Sequence, residues 1–186
     1  MGAWVPTDKV ETAYNKIGER IYRRVHVAPA HLREAWAAGY DLLLHPSHPA
    51  WVAEMEQVAE VCWSTMWVGS AASRFAPVAG FGHDWEYVDF PAYHRPSDWH
   101  ARTGMGVGAY KLPGWKAVTT ATEPIVIIDD DLEPVVYLWA AEREANGGPT
   151  LLIQPDPAVG MTRAHVDQVL DFARAHALTV PTAIGA

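Results

Sequence analysis

The apolar positions of the chain fall into short runs separated by stretches with helical spacing. Ile125-Val126-Ile127-Ile128 is the clearest run. Its four aliphatic residues show no alternation, the pattern of a strand buried on both faces of a parallel sheet. Tyr40 to Leu44, Glu60 to Trp63 and Thr150 to Ile153 read as further strands. Between them, 46–59 predicts a helix, because Trp51, Val52, Met55 and Val58 recur at helical spacing behind Ser47 as N-cap. Pro134 opens a second helix that runs to about Ala145, with Gly147 and Gly148 just past its end. Thr162 caps a last helix to about His176, with Val166, Val169, Leu170 and Ala173 on one face. The small residues of 69–80 suit another helix, ended by Gly80.

Two regions resist this reading. Residues 1–30 are irregular, with at most a short helix over Val10 to Arg24 that Gly18 interrupts, and 31–38 holds one or two helical turns stopped by Gly39. Residues 81–114, rich in Trp, His, Pro and Gly, read as an irregular insert or loop. A stretch of that length without an element is usually functional or inserted. The alternation of strand and helix elsewhere predicts an α/β domain with a mainly parallel sheet and helices on both sides. A length of 186 residues fits a single domain spanning 1–186.

Composition narrows the function classes. A net charge of −8 argues against a general nucleic-acid-binding surface, which needs clustered Lys and Arg. Arg20, Arg23 and Arg24 form one short basic patch, enough for a single phosphate and more simply a solvated face. The single cysteine, Cys62, excludes an internal disulfide and a cysteine-rich zinc site. Lying in Val61-Cys62-Trp63, it reads as a buried, inert thiol. Nine Trp either fill the core or line an aromatic groove. No signal peptide is visible and no apolar run approaches the roughly 18 residues of a membrane span, so a cytoplasmic protein is expected.

The strongest chemical signal is Asp129-Asp130-Asp131 at the end of the apolar strand. Ligands of open parallel sheets bind beyond the carboxyl ends of the strands. Adjacent carboxylates there repel one another unless a cation lies between them, and Mg²⁺ accepts such ligands. The plainer alternative is that Asp131 caps the following helix while the others are solvated. Trp63-Ser64-Thr65-Met66-Trp67 follows another short strand; a hydroxyl of Ser64 or Thr65 could donate to a phosphate oxygen, or merely cap a helix. Lys111, with Lys116 close behind, could neutralise phosphate and order carboxylates, although a single Lys is more often solvated.

Other patterns carry less. Gly104-Met105-Gly106-Val107-Gly108 lacks the preceding strand and following helix of a dinucleotide fingerprint and reads as a loop. His45, His48, His83, His94 and His100 match no metal-ligand spacing. No G-x-S-x-G elbow supports a triad from Ser64 and His48.

In order and spacing, these pieces resemble the haloacid-dehalogenase (HAD) superfamily, and more narrowly the small HAD domains associated with RNA-repair proteins. The resemblance runs from about Tyr22 to His176. Its landmarks are Leu42 to His48, Val61 to Trp67, Lys111-Leu112-Pro113, Pro124 to Leu132, Trp139 to Arg143, Gly148 to Leu152 and Asp156 to Thr162. It implies a Rossmann-like three-layer sandwich with little or no cap. It also implies a phosphohydrolase site acting on a phosphorylated small molecule or nucleic-acid end. By that resemblance Thr65 and Lys111 are the catalytic residues, and Thr65, with Ser64 as the other candidate hydroxyl, binds the phosphate together with Lys111. Asp129 and Asp130 would then hold Mg²⁺.

One motif departs from the family. An apolar strand ending in Asp-x-Asp-Gly should supply the nucleophile and the general acid–base near the N-terminus. The chain instead opens Met1-Gly2-Ala3-Trp4-Val5-Pro6-Thr7-Asp8, and Asp8 has no partner two residues on. Ala3-Trp4-Val5-Pro6 looks like the stretch that follows the motif, so the chain reads as starting just downstream of it or as having lost it. Without that aspartate no aspartyl-phosphate forms. The expectation is a phosphohydrolase-type domain inactive in this form that binds Mg²⁺ weakly, or a non-catalytic HAD-like binding or regulatory protein. An open sheet edge left by the missing strand would invite self-association as a homo-oligomer.

Overall fold

The computed structural model describes residues 23–27, 40–65, 75–81, 85–90, 107–157 and 159–176. Along the chain these form β1 (Arg23–Val27), β2 (Tyr40–Leu44), α1 (His48–Glu56), α2 (Ala76–Ala79), α3 (Val107–Val118), β3 (Ile125–Ile128), α4 (Pro134–Ala145), β4 (Thr150–Ile153) and α5 (Arg163–Ala175). The fold is a mixed α/β arrangement. β3 and β4 pair in parallel, in register from Ile125 with Thr150 to Ile128 with Ile153, and α4 is the crossover between them. β1 and β2 form a separate antiparallel pair from Arg23 with Leu44 to Val27 with Tyr40.

The parallel pair is covered on both faces, which explains its unbroken apolar sequence. Val126, Ile128, Leu151 and Ile153 turn to one core, with Val52 and Met55 of α1, Val166 and Val169 of α5, and the rings of Trp63, Phe75 and Phe81. Ile125, Ile127 and Leu152 turn to a second core with Tyr110, Leu112 and Trp115 of α3, Val136 and Trp139 of α4, and Phe90. This is the period-two alternation of a strand, with both sets of side chains apolar because both sides are dry. Trp51 and Trp85 pack against the first core as well, so the described tryptophans fill cores and do not line a groove.

The helix ends follow local chemistry. Pro134 occupies the first turn of α4 with Glu133 at the N-cap position. Thr162 precedes α5, its amide donating to His165 Nδ1 at 3.1 Å. Gly80 ends α2 with φ 76°, donating its amide to the Ala76 carbonyl at 2.9 Å. Only glycine adopts that left-handed conformation without cost, and a Cβ there would also crowd Pro49 at 3.1 Å.

Several sequence expectations need correction. Residues 107–114, read as the end of the irregular 81–114 region, belong to a helix over 107–118 despite Gly108, Pro113 and Gly114. Within 1–30, residues 23–27 form a strand that the irregular reading missed. Val61 to Trp63 does not join the β3–β4 sheet among the described residues; Trp63 makes a single parallel bridge to Tyr87. That extended segment alternates, with Trp63 buried and Cys62 exposed, so the thiol is not a core group. Ser47 stands at the N-cap of α1 without a side-chain cap bond, and its amide donates instead to His45 Nδ1 at 3.1 Å. The proposed helices over 10–24 and 31–38, the opening stretch with Asp8, and His83, His94 and His100 lie outside the described residues, apart from Arg23 and Arg24 in β1. Of the helix expected over 69–80, the described part is α2. Among the described residues no helix is long and apolar enough to cross a membrane.

Candidate functional site

Asp129 follows directly on β3, and its amide still pairs with the last residue of β4, donating to Ile153 O at 3.1 Å. This extra rung holds the residue inside the sheet's end, and its side chain is fully buried, at 0% exposure. A buried carboxylate is costly unless paired and hydrogen-bonded. Both conditions are met. Lys111 Nζ donates to Asp129 Oδ2, and the Asp131 amide donates to Oδ1 at 3.1 Å. Asp131 therefore contributes through its backbone to Asp129, and the N-cap position expected for it belongs to Glu133.

The lysine arrives from α3. Leu112 and Trp115 bury the helix in the second core, and Lys111 projects from the same buried surface, 4% exposed. Glu133 supplies the helix with a cap from another element, its carboxylate accepting the Ala109 amide at 2.9 Å. An anion at a helix N-terminus satisfies an orphan donor and complements the dipole. The ammonium has three donors. One goes to Asp129, and among the described residues no second acceptor takes the others.

Ser64 joins the site through Trp115. The indole Nε1 donates to Ser64 Oγ at 2.6 Å, and Trp115 stands one helical turn after Lys111. Residues four apart share a helix face, so the Ser64-Thr65 turn is tied next to the lysine. Ser64 Oγ is occupied as an acceptor but keeps its proton to donate. Thr65 follows, half-buried. Asp130 is half-buried as well. Its carboxyl is pushed above the ordinary range first by burial and then by the Asp129 carboxylate, with Lys111 opposing. Its carbonyl accepts Gln154 Nε2 at 3.2 Å, and Gln154 Oε1 accepts the Tyr137 hydroxyl at 2.9 Å. Lys111 and Asp129, 18 positions apart, are thus joined at the carboxyl end of β3, with Asp130 next in the chain and Ser64 tied to the lysine's helix through Trp115. Lys116 is exposed and takes no part.

The sequence reading missed Trp115, Glu133 and Gln154. The first two had a signal: Trp115 is at i+4 from Lys111, and Glu133 precedes Pro134. It was hidden because Gly108, Pro113 and Gly114 argue against a helix over 107–118.

The fit of a divalent ion can be tested on these donors. Mg²⁺ requires near-octahedral oxygen ligation. Asp129 is sealed from solvent with each oxygen already bonded, and the neighbouring Asp130 and Asp131 present the carboxylates of the run that keep some exposure. No group of three or more His, Cys, Asp or Glu that could hold an ion occurs among the described residues. As arranged, the residues do not fit Mg²⁺. The His45–His48 pair likewise forms no metal group: His45 stacks on Trp51 at 4.9 Å, and His48 Nε2 bonds to Met161 O at 3.2 Å.

Comparison with models of known families finds no match, and comparisons with curated proteins and solved structures find none either.

Proposed function

We propose that this chain is a HAD-type domain, a Rossmann-like three-layer sandwich whose site descends from a phosphohydrolase but lacks the nucleophile. The carrying observation is the buried Lys111–Asp129 pair at the carboxyl end of a parallel strand. It joins the residues that the resemblance assigns to two separate motifs, 18 positions apart. In this reading the hydroxyls of Ser64 and Thr65 meet a phosphoryl group and the Lys111 ammonium supplies the positive charge that offsets it. The ligand is the phosphorylated end of a small molecule or a nucleic acid, met locally and not through a basic surface.

Among the described residues of the site no group is assigned as phosphoryl acceptor, and Thr65 and Lys111 keep the supporting catalytic roles that the resemblance gives them. A phosphatase assay with a generic aryl phosphate and Mg²⁺ tests this, run on the chain and on a version carrying an upstream apolar strand that ends in Asp-x-Asp. The reading expects no turnover from the chain and turnover from the extended version that Lys111→Ala lowers by about 100-fold or more. Turnover by the chain itself, surviving Asp8→Asn, would overturn it. A second reading, a non-catalytic binding or regulatory protein, is favoured by the hydrogen bonds that both Asp129 oxygens already accept within the protein. It predicts silence from both versions.

A further inference from the structure

The acidic run beyond β3 poses an electrostatic problem. Three consecutive carboxylates are held at one strand end, and the first has no exposure to solvent. A cation must offset that charge for the burial to be tolerated. We infer that the Lys111 ammonium is itself the resident cation of this cluster and excludes a divalent ion from it.

Three features of the site point this way. Lys111 Nζ lies on Asp129 Oδ2, the one oxygen of that carboxylate not already taken by the Asp131 amide. The ammonium is as sealed as its partner, with side-chain exposures of 5% and 0%, so neither group can turn to solvent to make room. And α3, which carries the lysine, is fixed by the Ala109–Glu133 bond at one end and the Trp115–Ser64 bond at the other. Displacing Lys111 would therefore strand a charge or shift a helix anchored at two points. An incoming Mg²⁺ would in addition have to shed tightly held water for the half-exposed carboxylates of Asp130 and Asp131 alone, with Asp129 closed to it. None of this depends on the site's ancestry.

Thermal unfolding in MgCl₂ and in KCl of equal ionic strength tests it, with no turnover measured. The native chain should melt at the same temperature in both salts. Lys111→Met leaves Asp129 buried without its cation and should melt about 10 °C lower in KCl. It should regain at least half of that in millimolar MgCl₂, because the vacated place then takes the ion and ligand binding stabilises the folded state. Lys111→Met combined with Asp129→Asn removes both charges; it should melt within a few degrees of the native chain and ignore Mg²⁺. A native melting point that rises in Mg²⁺ relative to KCl overturns the inference. So does a Lys111→Met chain that Mg²⁺ fails to recover, or a double variant no better than the single one. If Lys111→Met does not fold in KCl, its refolding in MgCl₂ supports the inference and its failure to refold there overturns it. The melting experiment concerns the chain without the added strand, whereas the turnover expected in the phosphatase assay belongs to the version whose added carboxylates can hold the ion, so the failure of one reading is distinct from the failure of the other.

Discussion

The two faces of the β3–β4 pair are built from alternate residues of the same two strands, yet they hold different kinds of interior. The face toward α1 and α5 is a dry aromatic and aliphatic core around Trp63, Phe75, Phe81 and Trp85. The face toward α3 and α4 has an apolar core too, but buried charges border it: Lys111 with Asp129, and Arg143 with Thr150. The strands contribute only Thr150 to the difference, since their other side chains are apolar on both faces. The covering elements account for the rest. One face should therefore fail through lost volume and the other through lost charge.

The largest effect is expected on the aromatic face. Trp63 is 1% exposed, and among the described residues its indole N–H meets no hydrogen-bond partner, so it contributes packing alone. Trp63→Ala should cost about 3–5 kcal/mol in urea unfolding, while Trp63→Phe should cost distinctly less because no hydrogen bond is lost. Equal costs for the two would mean that the indole N–H is bonded after all.

On the other face Arg143 is the natural counterpart. Its guanidinium donates to Thr150 Oγ1 at 3.0 Å and to the carbonyls of Thr120 and Glu123 at 2.6 Å each, and it lies over the Trp139 ring. It ties the loop before β3 to α4 and β4. Arg143→Met keeps the packing and strands these acceptors, for a loss of about 3 kcal/mol. Arg143→Lys should recover little, because an ammonium cannot reproduce the planar fork. Full rescue by lysine would show that charge alone matters there.

The contrast also explains what the sequence could reveal. β3, α4, β4 and α5 were legible because each carries its own local signal: an unbroken aliphatic run, Pro134 at a helix start, Gly147-Gly148 at its end, and Thr162 before the last helix. They place Asp129 and Asp130 without help from the rest of the fold. α3 was illegible because its support is tertiary: Tyr110, Leu112 and Trp115 are buried against α4 and Phe90, and Glu133 caps it from elsewhere. Burial overrides the poor helix propensity of Gly108, Pro113 and Gly114. So Lys111 was identifiable as a residue but not as a position facing Asp129. The exposure of Cys62 was missed for a related reason. Three residues cannot distinguish a strand buried on both faces from an alternating one.

His48 is the exception on the dry face, a titratable ring beside His45 and Trp51 that bonds Met161 O. Burial, and secondarily the neighbouring His45, pull its pKa down to about 4, against the Met161 carbonyl. The folded state thus disfavours the proton. Between the unfolded value near 6.5 and about 4 the unfolded chain binds more protons, so stability is full above that window and falls as pH drops through it. The loss should reach about 3 kcal/mol. His45 and His165, also lowered by burial, add to it in the same direction. Urea unfolding at a series of pH values should show His48→Gln losing most of this dependence. An unchanged slope would place the titration elsewhere.

The smallest expected effect bears on why α3 holds its lysine where it does. Gly114 lies inside that helix, where exchange for Ala ordinarily stabilises by about 1 kcal/mol. Here an added Cβ would stand 2.6 Å from the Asp89 carbonyl oxygen and 2.7 Å from the Phe90 ring. Neither can move freely: Phe90 is 1% exposed in the second core, and the segment leading to it is bonded to Trp63 on both sides of Tyr87. Overpacking of this kind costs about 1–3 kcal/mol, enough to offset the propensity gain. Gly114→Ala should therefore destabilise by about 1 kcal/mol net, while the reverse exchange at the exposed Ala117, three residues on, should cost a similar amount through propensity alone. Two opposite substitutions in one helix would then both destabilise, which propensity by itself cannot produce. Stabilisation by Gly114→Ala would show that α3 can draw away from the 85–90 segment, and that Lys111 is held less firmly than its burial implies.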